Sequence, residues 1–195
     1  MTNGKPLVRW IWAAGSAIGL VAGAYIAVSV FPEAGFAMNP TGQFGWNLVG
    51  FAAIVAAALA LVQWLMLWSF LPGRGVVRLF WLPATVAGVM AMVLPLWWYD
   101  ASLFMLMPWV VLLATLPGTA LLAGLQGLLV WAATGAGFRW FIFTVIGGVI
   151  GGVGGLIGAL LLQPAPVELS WALLLGLATG YFQGVVLDEL RLRRL

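Results

Sequence analysis

Six hydrophobic spans, each long enough to cross a bilayer, divide this chain, and every basic residue falls in alternate gaps between them. The spans run over residues 8–31, 46–70, 79–99, 108–132, 140–162 and 168–190, each near the roughly 20 residues that about 30 Å of hydrocarbon requires. Lys5, Arg9, Arg74, Arg78, Arg139, Arg191, Arg193 and Arg194 lie on one side, and the other gaps hold Glu33, Asp100 and Glu168. Independent placement of the basic residues would agree at roughly (1/2)^7, under about one in a hundred. The positive-inside rule therefore predicts a multi-pass protein of the plasma membrane with both termini cytoplasmic. Loops 32–45, 100–107 and 163–167 then lie outside.

The chain is 64% hydrophobic and 7% charged, whereas a water-soluble domain carries about a quarter charged residues. Lipid is its solvent. Without water in the bilayer core, backbone amides must be satisfied within helices or a closed barrel. Barrel strands alternate apolar and polar residues, but Phe51 to Val62 is apolar on every face, so helices are predicted. The expected fold is an all-α polytopic bundle, one integral membrane domain over residues 1–195. The first span has too long an apolar core for a cleavable signal, and Ala34-Gly35-Phe36-Ala37 is a poor cleavage site, so it is read as a retained helix.

There is no Cys and no His. That excludes disulfides, thiol catalysis and the usual nitrogen and sulfur ligands of zinc or haem, and it removes the commonest general base near neutral pH. No cofactor and no metal are expected. The net charge of +3 is spread along membrane boundaries rather than clustered, which points to the lipid bilayer and its anionic headgroups as partner and not to nucleic acid.

An internal repeat organises the spans. Trp46 and Gln63, like Trp109 and Gln126, are 17 residues apart, and Trp68 and Trp131 each follow their Gln by five. Gly73-Arg74-Gly75 with Arg78 then matches Gly135-Ala136-Gly137 with Arg139, and Gln183 is followed by Gly184-Val185-Val186-Leu187 and a basic tail. Gly73-Arg74-Gly75 lacks the Lys-Ser/Thr of a phosphate loop and reads as a tight turn. Three helical hairpins of parallel topology are implied, over about 8–70, 79–132 and 140–190. In outline they are similar to mitochondrial carriers, but the Pro-x-acidic-x-x-basic signature is absent. Gln-Trp-Leu-Met-Leu at 63–67 resembles a recurring feature of small multi-pass bacterial membrane proteins of uncharacterised families, a resemblance that implies no activity. It is clearest in the first hairpin, since Gly127 and Gly184 replace the Trp elsewhere.

On each even span two small residues share a helical face with an amide: Ala56, Ala60 and Gln63; Thr119, Ala123 and Gln126; Gly176, Gly180 and Gln183. The three Gln are expected at one depth, about two turns from the cytoplasmic end. They are either interhelical fasteners or a polar girdle around a solute pathway. Span 5 holds overlapping Gly-x-x-x-Gly registers through Gly147, Gly148, Gly151, Gly152, Gly154, Gly155 and Gly158, so it is expected to pack centrally, with Gly147, Gly151, Gly155 and Gly158 as helix contacts. Gly15, Gly19 and Gly23 give span 1 a narrower version.

The twelve Trp all lie toward span ends and read as interfacial anchors, Trp12, Trp81 and Trp140 among them. Trp97-Trp98-Tyr99-Asp100 is the most site-like outer cluster, since aromatic rings beside a carboxylate can hold a cationic or aromatic solute. Asp188 and Glu189 are spaced for local pairing with Arg191, Arg193 and Arg194.

Two functions follow. One is a non-catalytic accessory or scaffold subunit whose Gly-rich helix faces pack against a membrane-protein partner or a second copy. The other is a small-solute transporter or its embedded binding component. Six spans in about 200 residues with Ala13-x-x-x-Ala17 on the first span resemble the substrate-binding subunits of energy-coupling-factor transporters, which implies that this motif docks a partner. An enzyme is not expected: rhomboid-type and phosphatase-type sites use His, and the paired glutamates of abortive-infection-type membrane proteases are absent.

Overall fold

The computed structural model describes residues 7–32, 46–70, 75–93, 108–161 and 167–192. Among these residues there are six helices: α1 (Leu7–Val30), α2 (Trp46–Phe70), α3 (Gly75–Val93), α4 (Pro108–Thr134), α5 (Gly137–Leu161) and α6 (Val167–Leu192). All six are long and apolar enough to cross a membrane, and there is no strand among the described residues. Pro83 and Pro117 lie inside α3 and α4. Each lacks the amide that would close one helical turn, a loss that neighbouring helices make tolerable in membrane spans.

The distribution of side chains is the reverse of a soluble protein. Gln63, Gln126, Gln183, Ser16, Thr85 and Thr144 are buried, while Ile18, Leu65, Leu79, Phe80, Leu128 and Phe138 are exposed. A solvent that accepts bare Leu and Phe surface but not amides is hydrocarbon, and the fold is that of a multi-pass membrane bundle.

The helices close into a ring. Extensive packing joins each helix to the next in sequence, and α6 packs on α1 to complete the circle. Two apolar layers fill the axis. Trp12, Leu67, Val77, Trp81, Val130, Trp140 and Leu187 belong to the layer nearer the termini. Leu20, Ala24, Ala56, Leu59, Val89, Leu122 and Ala172 belong to the far one.

Glycine sets the spacing inside each hairpin. A methyl placed on Gly19 would sit 3.0 Å from Leu59 Cα, on Gly88 2.5 Å from Leu122 Cα, and on Gly147 2.7 Å from Thr179 Cα. Each of these glycines is seven residues after Trp12, Trp81 or Trp140, and each partner is four residues before a Gln. One turn further out, Gly23 meets Val55 and Gly151 meets Leu175, whereas in the middle hairpin the glycine changes sides and Gly118 of α4 takes Met92. Side chains any larger would hold these backbones apart.

The joint between α6 and α1 has no covalent connection, and it is closed by contacts of the same kind. A methyl on Gly176 would lie 2.6 Å from Ala17 Cα and one on Gly180 2.8 Å from Ala13 Cα, while Gly184 abuts Arg9. Arg9 Nε donates to Asp188 Oδ2 at 2.8 Å across the same joint.

Helix α3 begins at Gly75, four residues before the predicted span, because Arg78 in its first turn lays its guanidinium over the Trp68 ring at 4.2 Å and so extends the helix past the apolar region. Helix α5 is a member of the ring and not a central helix. Gly147 and Gly151 face α6, Gly155 meets Trp171, and Gly148 faces Thr119 of α4. Asp188 and Glu189 reach beyond their own helix, to Arg9 of α1 and Arg139 of α5, tying the last turns of α6 to both neighbours; Arg193 and Arg194 lie outside the described residues. The stretch after α4 that matches Gly73-Arg74-Gly75 in the repeat is a two-residue connection, with Gly135 in the left-handed region at φ 78°. Thr134 Oγ1 donates to Val130 O at 2.7 Å and accepts from Ala136 N at 3.3 Å, fixing that turn. Gly73 and Arg74 lie outside the described residues.

Two glycines three residues apart in α5 make the packing testable. A methyl on Gly151 would come 2.8 Å from Leu175 Cα and 3.1 Å from Ala178 Cβ, whereas one on Gly154 meets nothing within 4 Å. Gly151→Ala should lower stability by about 1–3 kcal/mol through overpacking, and Gly151→Leu by more. Gly154→Ala should be neutral or stabilise by up to about 1 kcal/mol through helix propensity. Thermal unfolding of the two variants in detergent checks the contrast.

Candidate functional site

The three Gln meet on the bundle axis. Each is nearly or fully buried, Gln63 at 2% exposure, Gln126 at 0% and Gln183 at 1%. Their amides form a closed ring of one-way hydrogen bonds. Gln63 Nε2 donates to Gln183 Oε1 at 3.4 Å, Gln183 Nε2 to Gln126 Oε1 at 3.1 Å, and Gln126 Nε2 to Gln63 Oε1 at 3.3 Å.

The odd helices complete each amide. Gln63 Nε2 also donates to Ser16 Oγ at 3.1 Å, Gln126 Nε2 to Thr85 Oγ1 at 2.8 Å, and Gln183 Nε2 to Thr144 Oγ1 at 3.2 Å. Each hydroxyl comes from the same hairpin as its Gln. The remaining lone pair of each amide oxygen accepts from an indole of the following hairpin: Trp81 Nε1 to Gln63 Oε1 at 3.3 Å, Trp140 to Gln126 at 3.4 Å, and Trp12 to Gln183 at 3.0 Å. A primary amide has two donor hydrogens and two acceptor lone pairs, and here all four are used on all three Gln. The direction of the ring is set by chemistry, because exchanging Oε1 and Nε2 would turn an amide N–H toward an indole, which only donates.

The indoles close the ring on the side of the termini. Trp12, Trp81 and Trp140 are all 0% exposed and meet one another edge to face, with centroids 6.1, 6.1 and 5.5 Å apart and interplanar angles of 83°, 79° and 81°. This is the preferred geometry of aromatic quadrupoles.

These three tryptophans correct the reading of all twelve as interfacial anchors. Trp10, Trp68 and Trp131 stay exposed on the outer surface, but Trp12, Trp81 and Trp140 turn inward. The sequence carries a signal for them: Trp12-Ser16-Gly19, Trp81-Thr85-Gly88 and Trp140-Thr144-Gly147 share one spacing, Trp-x-x-x-Ser/Thr-x-x-Gly, on every odd helix. Positions four and seven after the Trp fall on its own helical face.

Other candidate residues are placed apart from the ring. Gly147, Gly151 and Gly155 form interhelical contacts and Gly158 is buried. Trp97, Trp98, Tyr99 and Asp100 lie outside the described residues. The ring supplies amides, indoles and hydroxyls and contains no carboxylate, imidazole or thiol, so its chemistry is neutral hydrogen bonding. Comparison with protein families, with curated proteins and with solved structures finds no match to this chain.

The cyclic bonding makes the cost of substitution non-additive. Gln126→Leu strands the Trp140 N–H and one hydrogen of Gln183 Nε2, at roughly 1–3 kcal/mol for each buried donor left without a partner. Replacing all three Gln by Leu removes donors and acceptors of the amide ring together and leaves only the indoles and hydroxyls to be satisfied. The triple variant should therefore lose less stability than the sum of the three single variants. Unfolding free energies of the four proteins would show this, and additive losses would mean that the amides do not act as one ring.

Proposed function

We propose that this chain is a non-catalytic integral membrane protein of the plasma membrane, an accessory or scaffold subunit whose axis is closed to solutes. The saturated amide ring carries this reading. A permeation site must exchange its own hydrogen bonds for those of the permeant, and every donor and acceptor of Gln63, Gln126 and Gln183 is already used inside the protein. A layer of three packed indoles lies directly beneath. The fastener role of the Gln residues is thus favoured over the polar girdle.

The three hairpins are read as copies of one unit, since each contributes one indole, one hydroxyl and one amide at equivalent spacing. The end of the bundle that carries the termini also carries Arg9, Arg78, Arg139 and Arg191 in terminal turns, which supports a cytoplasmic placement of both termini. Because the glycine faces are occupied within the chain, a membrane-protein partner or a second copy would meet the outer surface of Leu, Ile and Phe side chains.

The competing reading, a solute transporter or its binding component, asks Ala13-x-x-x-Ala17 to be free for docking. Ala13 and Ala17 are buried beneath Gly180 and Gly176 of α6, which weighs against it.

Proteoliposomes containing the protein should be no more permeable to water and small polar solutes than protein-free liposomes, as measured by stopped-flow light scattering. Saturable solute uptake would defeat the closed-axis reading. Because the chain has no native Cys, a cysteine replacing Arg191 reports sidedness directly. It should react with an impermeant thiol reagent only after the membrane is permeabilised.

A further inference from the structure

A cavity of about 390 Å³ opens between the turn after α4 and the last turns of α6, lined by Thr134, Ala136, Phe138, Arg139, Val186, Glu189 and Leu190 among others. Its volume is at the lower end of the roughly 300–1,000 Å³ of small-molecule sites. Such a space suits a headgroup rather than a whole lipid. The cavity lies at the ends of the helices, where the bundle leaves the apolar region, so it meets the headgroup layer whichever way the protein faces.

Its wall carries one charge of each sign. Arg139 and Glu189, both in its lining, pair directly with each other, with side-chain exposures of 53% and 41%. An exposed ion pair gains little net stability and readily exchanges its partners. The Arg9–Asp188 pair at the neighbouring joint is less exposed, at 30% and 12%. The Arg139 guanidinium matches a phosphate, and the Glu189 carboxylate matches an ammonium one headgroup length away. Phe138 at its rim and Trp131 and Leu128 on α4 are 76%, 62% and 63% exposed, an apolar surface suited to acyl chains.

We propose that this cavity is a binding site for a zwitterionic phospholipid headgroup, a phosphodiester bearing a primary ammonium as in phosphatidylethanolamine. The phosphate takes the guanidinium of Arg139 and the ammonium takes the carboxylate of Glu189, so that the ligand inserts into the ion pair with no net change of charge. A headgroup with phosphate alone brings a negative charge beside Glu189. A choline headgroup lacks the N–H donors that a carboxylate requires. The proposal rests on the membrane-spanning fold and not on the scaffold reading.

The full-length protein in mild detergent can be titrated with phosphatidylethanolamine, phosphatidylglycerol and phosphatidylcholine of identical acyl chains, with bound lipid read by native mass spectrometry. Phosphatidylethanolamine should bind about tenfold tighter than either of the others, a factor in the range of one well-placed charged contact. Glu189→Gln should reduce it to the level of phosphatidylcholine, Arg139→Gln should weaken all three, and Leu190→Trp should block the cavity while leaving both charges in place. Equal or tighter binding of phosphatidylglycerol to the wild type, or an unchanged preference in Glu189→Gln, would overturn the proposal. Soluble glycerophosphoethanolamine should compete only at far higher concentration than the lipid. Competition at equal concentration would assign the cavity to a soluble phosphodiester and overturn the lipid assignment.

Discussion

A primary amide buried away from water must find partners for two donor hydrogens and two lone pairs, and three such amides at one level of an apolar bundle find them in each other and in the few polar side chains around them. That constraint governs this protein. The ring through Gln63, Gln183 and Gln126 uses half of the capacity of each amide, and one hydroxyl and one indole per hairpin use the rest. Within a hairpin the amide finds only Ser16, Thr85 or Thr144. Every other partner belongs to a different hairpin, so no hairpin satisfies its polar groups in lipid until all three have assembled. The network therefore selects the closed ring over open arrangements of the same helices.

Close backbone approach is what allows the side chains to reach. Six helices arranged in a circle leave a gap on the axis. Glycines at Gly19, Gly88 and Gly147 draw the members of each hairpin together, and three indoles with large planar area fill the space below the amides. The joint between α6 and α1, which has no loop to hold it, compensates with Gly176, Gly180 and Gly184 and the Arg9–Asp188 pair. Glycine, indole and amide thus divide the work of spacing, filling and fixing direction.

Much of this was legible in the sequence. Span number follows from the length of apolar runs, and hairpin pairing follows from the Gln spacing. The depth of Gln63, Gln126 and Gln183 follows from their common distance to the helix ends. The direction in which Trp12, Trp81 and Trp140 face was not legible from their position near span ends, because an indole close to a basic residue suits the headgroup layer equally well. The distinction lies in what shares the helical face. Trp12 has Ser16 and Gly19 above it, while Trp10 has no such partners and stays exposed. The partners of Asp188 and Glu189 on other helices were not legible for a related reason: helical spacing shows what is near along one helix, and the guanidinium groups of Arg9 and Arg139 arrive from neighbours that only the ring brings close.

A dry, closed hydrogen-bond ring on the axis would protect its indole protons, and these report on it directly. In a detergent-solubilised, ¹⁵N-labelled sample, hydrogen exchange can be followed at the tryptophan indole N–H signals, each assigned by a single Trp→Phe substitution. Trp12, Trp81 and Trp140 should exchange far more slowly than the exposed Trp68 and Trp131, because their N–H groups are bonded to buried amide oxygens. Exchange of those three at the rate of the exposed indoles would mean that water reaches the amides, and the closed-ring account would be contradicted.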